Sequence, residues 1–309
     1  MDYKNLKILY TTKDRPDYLY DAIYLGLVKL GCIVQDIPHA PWYHGVKHSS
    51  LYSIDTPEEY ISETDLMIIN ALGYDNNMKQ VGAWCQAMVE LEQAHKPKKV
   101  IIVDGSDHMS TAYPAISNDY TAIFKRELLR LPYPNWYPIS FCALNSVDNI
   151  KPFNKRKYDV SCILSTPSNP YRQVVADAVR LECEKLELNA FIHSSSDMLS
   201  YEDYVSILRD SKTSVSVKGL GWDCYRYWEI PAHGTVLISD ISPLIFENDF
   251  NGEMCFRFED TNDFPHVLRE VKRMSDADLE YMAKRALGHT KGLHTPEHRA
   301  RYVLDKSLG

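Results

Sequence analysis

The sequence predicts an α/β protein made of two open, parallel-sheet domains, and three observations carry that expectation. Short apolar runs alternate with helix-period segments from the start: Leu6–Tyr10, then Tyr18–Leu30, then Cys32–Ile37. The polar stretch Asn145–Lys157 has no period and contains Pro152, which marks it as a boundary, and the same alternation restarts after it. A chain of 309 residues, 45% hydrophobic and 25% charged, is long enough and apolar enough for two ordinary cores. The expected division is residues 1–150 and 151–309.

In the first half, the opening β-α-β unit ends its helix at Gly31, and its crossover should be right-handed. Pro38–Pro57 is rich in aromatics and histidines without a period, as active-site loops, linkers and irregularly packed segments all are. A helical turn at Pro57–Glu63, a strand at Leu66–Asn70, a helix at Met78–Ala94 and a strand at Lys99–Val103 follow. That last strand runs straight into D-G-S-D-H, which places Asp104, Asp107 and His108 at a strand end, where open parallel sheets bind ligands. Asp104 and Asp107 are equally suited to capping a turn or a helix. Ile123–Leu129 and Ile139–Leu144 supply further strand or helix pieces.

In the second half, strands are expected at Val160–Leu164, Leu188–Ile192, Thr213–Val217, Val236–Ser239 and Met254–Phe258. Helices are expected at Arg172–Leu186, Tyr201–Asp210 and from Thr261 onward. The chain is organised around Lys218–Asp240: a loop with Gly219 and Gly221, a helical turn carrying Tyr225, Arg226 and Glu229, a stop at Gly234, and an apolar strand. Arg226 and Glu229 are three residues apart and share a helix face. A carboxylate there suits two ribose hydroxyls, and a guanidinium suits phosphate oxygens. An ordinary surface ion pair has the same spacing. The Ser165–Arg172 loop adds hydroxyls, a helix N-terminus and a cation, Lys218 adds a second cation at a strand tip, and His193 with Ser194–Ser196 follows a strand as a candidate for the base edge.

The run R-Y-W-E-I-P-A-H-G-T-V-L-I-S-D (Arg226–Asp240) resembles the donor-site signature of GT-B glycosyltransferases, in which a Glu is followed five residues later by Gly and an apolar strand. It looks closest to the CgeB-like and family-1-type bacterial and phage enzymes. V-D-G-S-D-H at Val103–His108, I-F-K-R-E-L at Ile123–Leu128, Y-D-V-S-C-I-L-S at Tyr158–Ser165 and the closing H-T-P-E-H-R-A-R-Y-V-L fit the same pattern. The resemblance covers most of the chain and is more specific in the second half. It implies two Rossmann-like domains facing a central cleft, an acceptor side in the first and a nucleotide-sugar donor side in the second, with the last helix packing back toward the first. Donor contacts would come from Ser165, Arg172, His193, Lys218, Gly219, Tyr225, Arg226 and Glu229, with a UDP-sugar as the expected donor.

Other classes lose support. The formal net charge of −8 gives no general attraction to nucleic acid or anionic lipid. Seven cysteines without a C-x-x-C pair read as reduced core residues. No apolar stretch approaches the ~20 residues of a membrane span, and the N-terminus lacks an apolar signal region, so a cytoplasmic protein is expected. The only D-x-D, Asp276–Asp278, reads as a helix start capped by Ser275, and no H-E-x-x-H occurs, so a metal-independent enzyme is expected. Neither a dinucleotide fingerprint nor a P-loop is present, and no cofactor beyond the nucleotide-sugar substrate is expected.

An inverting transfer needs a general base beside the acceptor hydroxyl, for which Asp14, Asp104 and Asp107 are the candidates; a retaining one does not. The acceptor stays open among a surface glycan, a protein and a hydroxylated base in phage DNA. The competing readings are a nucleotide-sugar epimerase or hydrolase on the same fold, and a binding protein without turnover.

Overall fold

A computed structural model describes residues 2–11, 17–37, 64–71, 87–94, 96–107, 120–129 and 134–309. Asp14, His108, Pro38–Pro57, the Pro57–Glu63 turn and the first part of the Met78–Ala94 helix lie outside these residues. The chain forms two compact units: residues 1–144, 244–247 and 295–309 in the first, and 145–243 with 248–294 in the second.

The first unit holds a six-stranded sheet of β1 (Lys7–Thr11), β2 (Ile33–Ile37), β3 (Leu66–Ala71), β4 (Lys99–Asp104), β5 (Ala122–Lys125) and β6 (Trp136–Pro138). Its order is β2-β1-β3-β4-β5-β6, and every neighbouring pair is parallel. β3 is buried along its whole length, which explains its unbroken apolar run; strands covered on both faces do not alternate. Helix α1 (Tyr18–Lys29) is capped by Asp17, whose side chain accepts from the amides of Leu19 and Tyr20. The last helix of the chain, Pro296–Leu308, belongs to this unit and packs on α1. Gly26 makes that contact possible, because a Cβ there would sit 2.0 Å from the Pro296 carbonyl oxygen.

The apolar run Ile139–Leu144, expected to supply a strand or helix piece, forms neither; the strand falls three residues earlier, at Trp136–Pro138. The carbonyls of Ser140 and Phe141 are engaged instead by the Arg299 guanidinium, at 2.9 and 2.8 Å, so the segment has spent its backbone acceptors elsewhere.

The second unit holds a five-stranded parallel sheet ordered β11-β10-β9-β7-β8. Its strands are β7 (Tyr158–Ser165), β8 (Ala190–Ser195), β9 (Ser211–Ser216), β10 (Val236–Asp240) and β11 (Cys255–Phe258). The helices are α2 (Tyr171–Lys185), α3 (Tyr201–Arg209), α4 (Tyr225–Ala232), α5 (Phe264–Arg273) and α6 (Asp276–Leu293), with α7 (Pro296–Leu308) returning to the first unit. Val160, Cys162 and Leu164 of β7 pack with Val175, Val179 and Cys183 of α2 in one core cluster. The six described cysteines are free and buried. Asp276 and Asp278 do open a helix, with the Ser275 hydroxyl accepting from the Asp278 amide.

Candidate functional site

In a parallel sheet of this order the chain switches direction between the first and third strands, here β7 and β9, and ligands bind beyond the carboxyl ends there. Ser165 closes β7 and Lys218 follows β9, so the two candidates flank that switch point.

Arg172 ties them together. It is only 4% exposed, not a solvated helix residue, and its five N–H groups are all taken by chain atoms. Nη1 donates to the Ser165 carbonyl at 3.1 Å and to the Ser168 hydroxyl at 2.6 Å. Nε donates to the Lys218 carbonyl at 3.1 Å, and Nη2 to the Val217 carbonyl at 3.3 Å and the Cys224 sulfur at 3.4 Å. Arg172 therefore braces the loops after β7 and β9 at the switch point, and burial pulls its guanidinium below its ordinary pKa. Gly219 exists for this brace: a Cβ would lie 2.7 Å from Arg172 Nη2. The Asn169 amide donates to the Gly219 carbonyl at 2.8 Å, fastening the same loop to the turn before α2.

Lys218 is half-buried, with its ammonium 4.3 Å from the Trp222 ring centre and 5.1 Å from that of Tyr171. Two aromatic faces thus hold the cation in place without neutralising it. Its backbone amide donates to the Asp240 carboxylate at 3.1 Å, and burial raises the pKa of that carboxyl against the lowering pull of Lys218. Trp222, Tyr171 and Asp240 were not singled out from the sequence; Asp240 could have been, because it terminates β10 at the same sheet edge.

Arg226 and Glu229 on α4 are 6% and 2% exposed, which rules out the surface-pair reading. Buried charges persist only where their surroundings compensate them. The Arg226 guanidinium lies 4.9 Å from the Tyr225 ring centre; burial opposes its charge, but the neighbouring tyrosines, Cys224 and Glu229 outweigh it and raise its pKa. Tyr204 of α3 faces Glu229, and burial together with that negative charge pushes its hydroxyl well above the usual pKa. Trp228, fully buried, anchors α4 by donating from its indole to Asp223 at 2.8 Å. His193 lies within β8, which runs on to Ser195 where a loop was expected after Ile192, and its Nε2 is 2.8 Å from the Asp197 carbonyl.

In the first unit, the two described carboxylates of D-G-S-D-H part ways. Asp104 is fully buried and paired with Lys125 at 2.7 Å, so it is not open to an acceptor hydroxyl. Asp107 is 38% exposed and held by Arg126. Arg126 also donates to the Gly105 carbonyl at 2.9 Å, pairs with Glu127 at 3.2 Å and lies 4.5 Å from the Phe141 ring centre. Burial lowers the Lys125 pKa, with Asp104 pulling the other way. The K-R-E of the I-F-K-R-E-L segment is thus a buried charge network supporting the loop after β4. Among the described residues no cluster of His, Cys, Asp and Glu is arranged to hold a metal ion.

A family model described as glycosyl transferase-like matches residues 182–305, a span that contains Lys218, Arg226 and Glu229. The Anabaena protein Alr3699/HepE, solved with UDP-glucose, superposes with a TM-score of 0.57 over 96% of this chain and 98% of that one, at 7% identity. A glycosyltransferase from Rickettsia africae superposes with a TM-score of 0.55 over 98% of both chains, at 11% identity. The fold is GT-B. Staphylococcus aureus TarM gives a TM-score of 0.53 at 12% identity; the match covers 79% of this chain but only 55% of TarM, so the chain spans about half that length. No curated protein matches the sequence. Both parallel sheets agree with the GT-B expectation, and no described helix is long and apolar enough to cross a membrane.

Proposed function

We propose that this GT-B chain is a glycosyltransferase that takes a sugar from a nucleoside-diphosphate donor held at the carboxyl edge of the second sheet. The observation that carries the reading is the burial of Glu229 beside Arg226 on α4, one turn past the β7/β9 switch-point loops. A buried carboxylate at that position accepts the two ribose hydroxyls, while the Lys218 ammonium faces the diphosphate. Arg172 positions these loops and does not itself contact the donor. UDP is the proposed nucleotide, in keeping with the UDP-glucose held by the Anabaena neighbour.

Asp107, the exposed member of the described pair, is the proposed general base for an inverting transfer, held in orientation by Arg126. The transfer is proposed to need no metal: the Lys218 ammonium stabilises the leaving diphosphate. The test offers purified protein UDP-, GDP-, TDP- and CMP-sugars, with and without EDTA, and measures thermal shift and nucleoside-diphosphate release. Release from one sugar, undiminished by EDTA, is expected. Binding without release would favour a non-catalytic protein, and loss in EDTA restored by Mn²⁺ would overturn the metal-free step.

A further inference from the structure

We infer that the second unit carries a separate binding site for a small oxyanion, in a cavity at the amino edge of its sheet where His233 and Arg209 converge. The cavity, open to solvent on the side of Arg209 and Asp148, has a volume of about 360 Å³ and is lined by Ser146, Asp148, Asn149, Lys151, Arg209 and His233, among others. At roughly 30 Å³ per water, it has room for about a dozen heavy atoms.

The cavity is distinct from the proposed donor site. Arg209 ends α3 just before β9 begins at Ser211, and His233 caps α4 just before β10 begins at Val236. β9 and β10 are parallel, so both residues lie at the strands' amino ends, whereas Lys218 and Asp240 lie at the carboxyl ends. A six-residue strand separates the two edges by about 20 Å.

The lining is built for a ligand. His233 is 3% exposed, yet neither ring nitrogen has a hydrogen-bond partner among the described residues. A buried polar group in that condition is costly, and native structures keep few of them. Burial, then the positive charge of Arg209, depress its pKa to about 4, so at neutral pH the ring offers one donor and one acceptor. Arg209 lies in an exposed helix turn and makes no ion pair among the described residues. Lys151 is balanced by Asp210, and Asp148 is turned to solvent, 97% exposed, where it meets Lys291. Arg209 therefore supplies the net positive charge, and Ser146 and Asn149 add uncharged hydrogen-bonding groups. A guanidinium fork beside a neutral imidazole fits the planar or tetrahedral oxygens of a carboxylate or phosphate.

The test uses the full chain and follows the His233 imidazole resonances, assigned by their loss in His233→Leu. Inorganic phosphate and acetate are titrated in separate arms, with ionic strength held constant by chloride. Saturable shifts of the His233 signals are expected with one of the two anions, and the arm that saturates identifies the class. In Arg209→Gln the affinity should fall about 10-fold or more, with the anion-free melting temperature unchanged. Absence of saturation with both anions would overturn the site. So would equal shifts in Arg209→Gln and the wild type, since general salt effects on stability need no guanidinium.

Discussion

Asp104 and Asp107 stand three residues apart at the end of one strand, yet their environments assign them different work. Asp104 is locked to Lys125 with both side chains buried. Asp104→Ala would leave an uncompensated buried ammonium and should cost roughly 3–5 kcal/mol, read as a drop in urea midpoint. Asp107→Asn removes an exposed carboxylate whose partner Arg126 keeps Glu127; stability should change by about 1 kcal/mol or less, while turnover falls about 100-fold or more. Normal turnover in a folded Asp107→Asn protein would remove it as the base. His233 makes a second residue-level prediction. Its pKa falls from 6.5 to about 4 on folding, so the unfolded state holds the extra proton between those values. The linked stability is fully present above pH 6.5 and is lost as pH falls toward 4, amounting to about 3 kcal/mol. In phosphate-free buffer, wild type should lose more stability than His233→Leu between pH 7 and 4.5; parallel curves would contradict it. Neither distinction was legible in the sequence. The carboxylates differ because of Lys125, a residue from the neighbouring strand, and Arg172, expected as a donor contact, has its five hydrogen bonds to chain atoms set by where two loops meet.

At the scale of elements, periodicity and punctuation placed the strands and helices of the second unit within a few residues, because each strand there is a compact apolar run bounded by turn residues. The exceptions have tertiary causes. Ile139–Leu144 is as apolar as a strand, but Arg299 of α7 takes the carbonyls of Ser140 and Phe141; β8 runs to Ser195 because Val160–Ser165 of β7 pairs with it along its whole length. The docking of α7 on α1 is equally non-local, and Gly26 controls it. Gly26→Ala places a methyl against backbone that has no flexible end to yield, so the helix must shift, at an expected cost of about 1–3 kcal/mol. Thermal melting of the variant checks this. A stability gain, as alanine gives at an open helix position, would show that α7 is not held at that spacing.

For the whole molecule, two parallel sheets with corresponding strand orders give two switch points, β1/β3 and β7/β9. The second is described in full and gathers Ser165, Arg172, Lys218 and Gly219, with Arg226 and Glu229 behind them. The GT-B fold was legible from that half, where Arg226–Asp240 compresses helix, stop and strand into one short stretch; the division of labour within the site was not, since burial decides it. The central claim is that Glu229 is buried to bind a nucleotide. Calorimetric titration of UDP into wild type and Glu229→Gln, with melting curves of both, tests it most directly. The substitution keeps the volume and removes charge-assisted hydrogen bonds worth roughly 1.5–3 kcal/mol each, so UDP affinity should fall about 10-fold or more while the melting temperature changes little. Unchanged UDP affinity in a variant of lowered melting temperature would mean that Glu229 is a structural residue, and the donor site assigned to the second sheet would be contradicted.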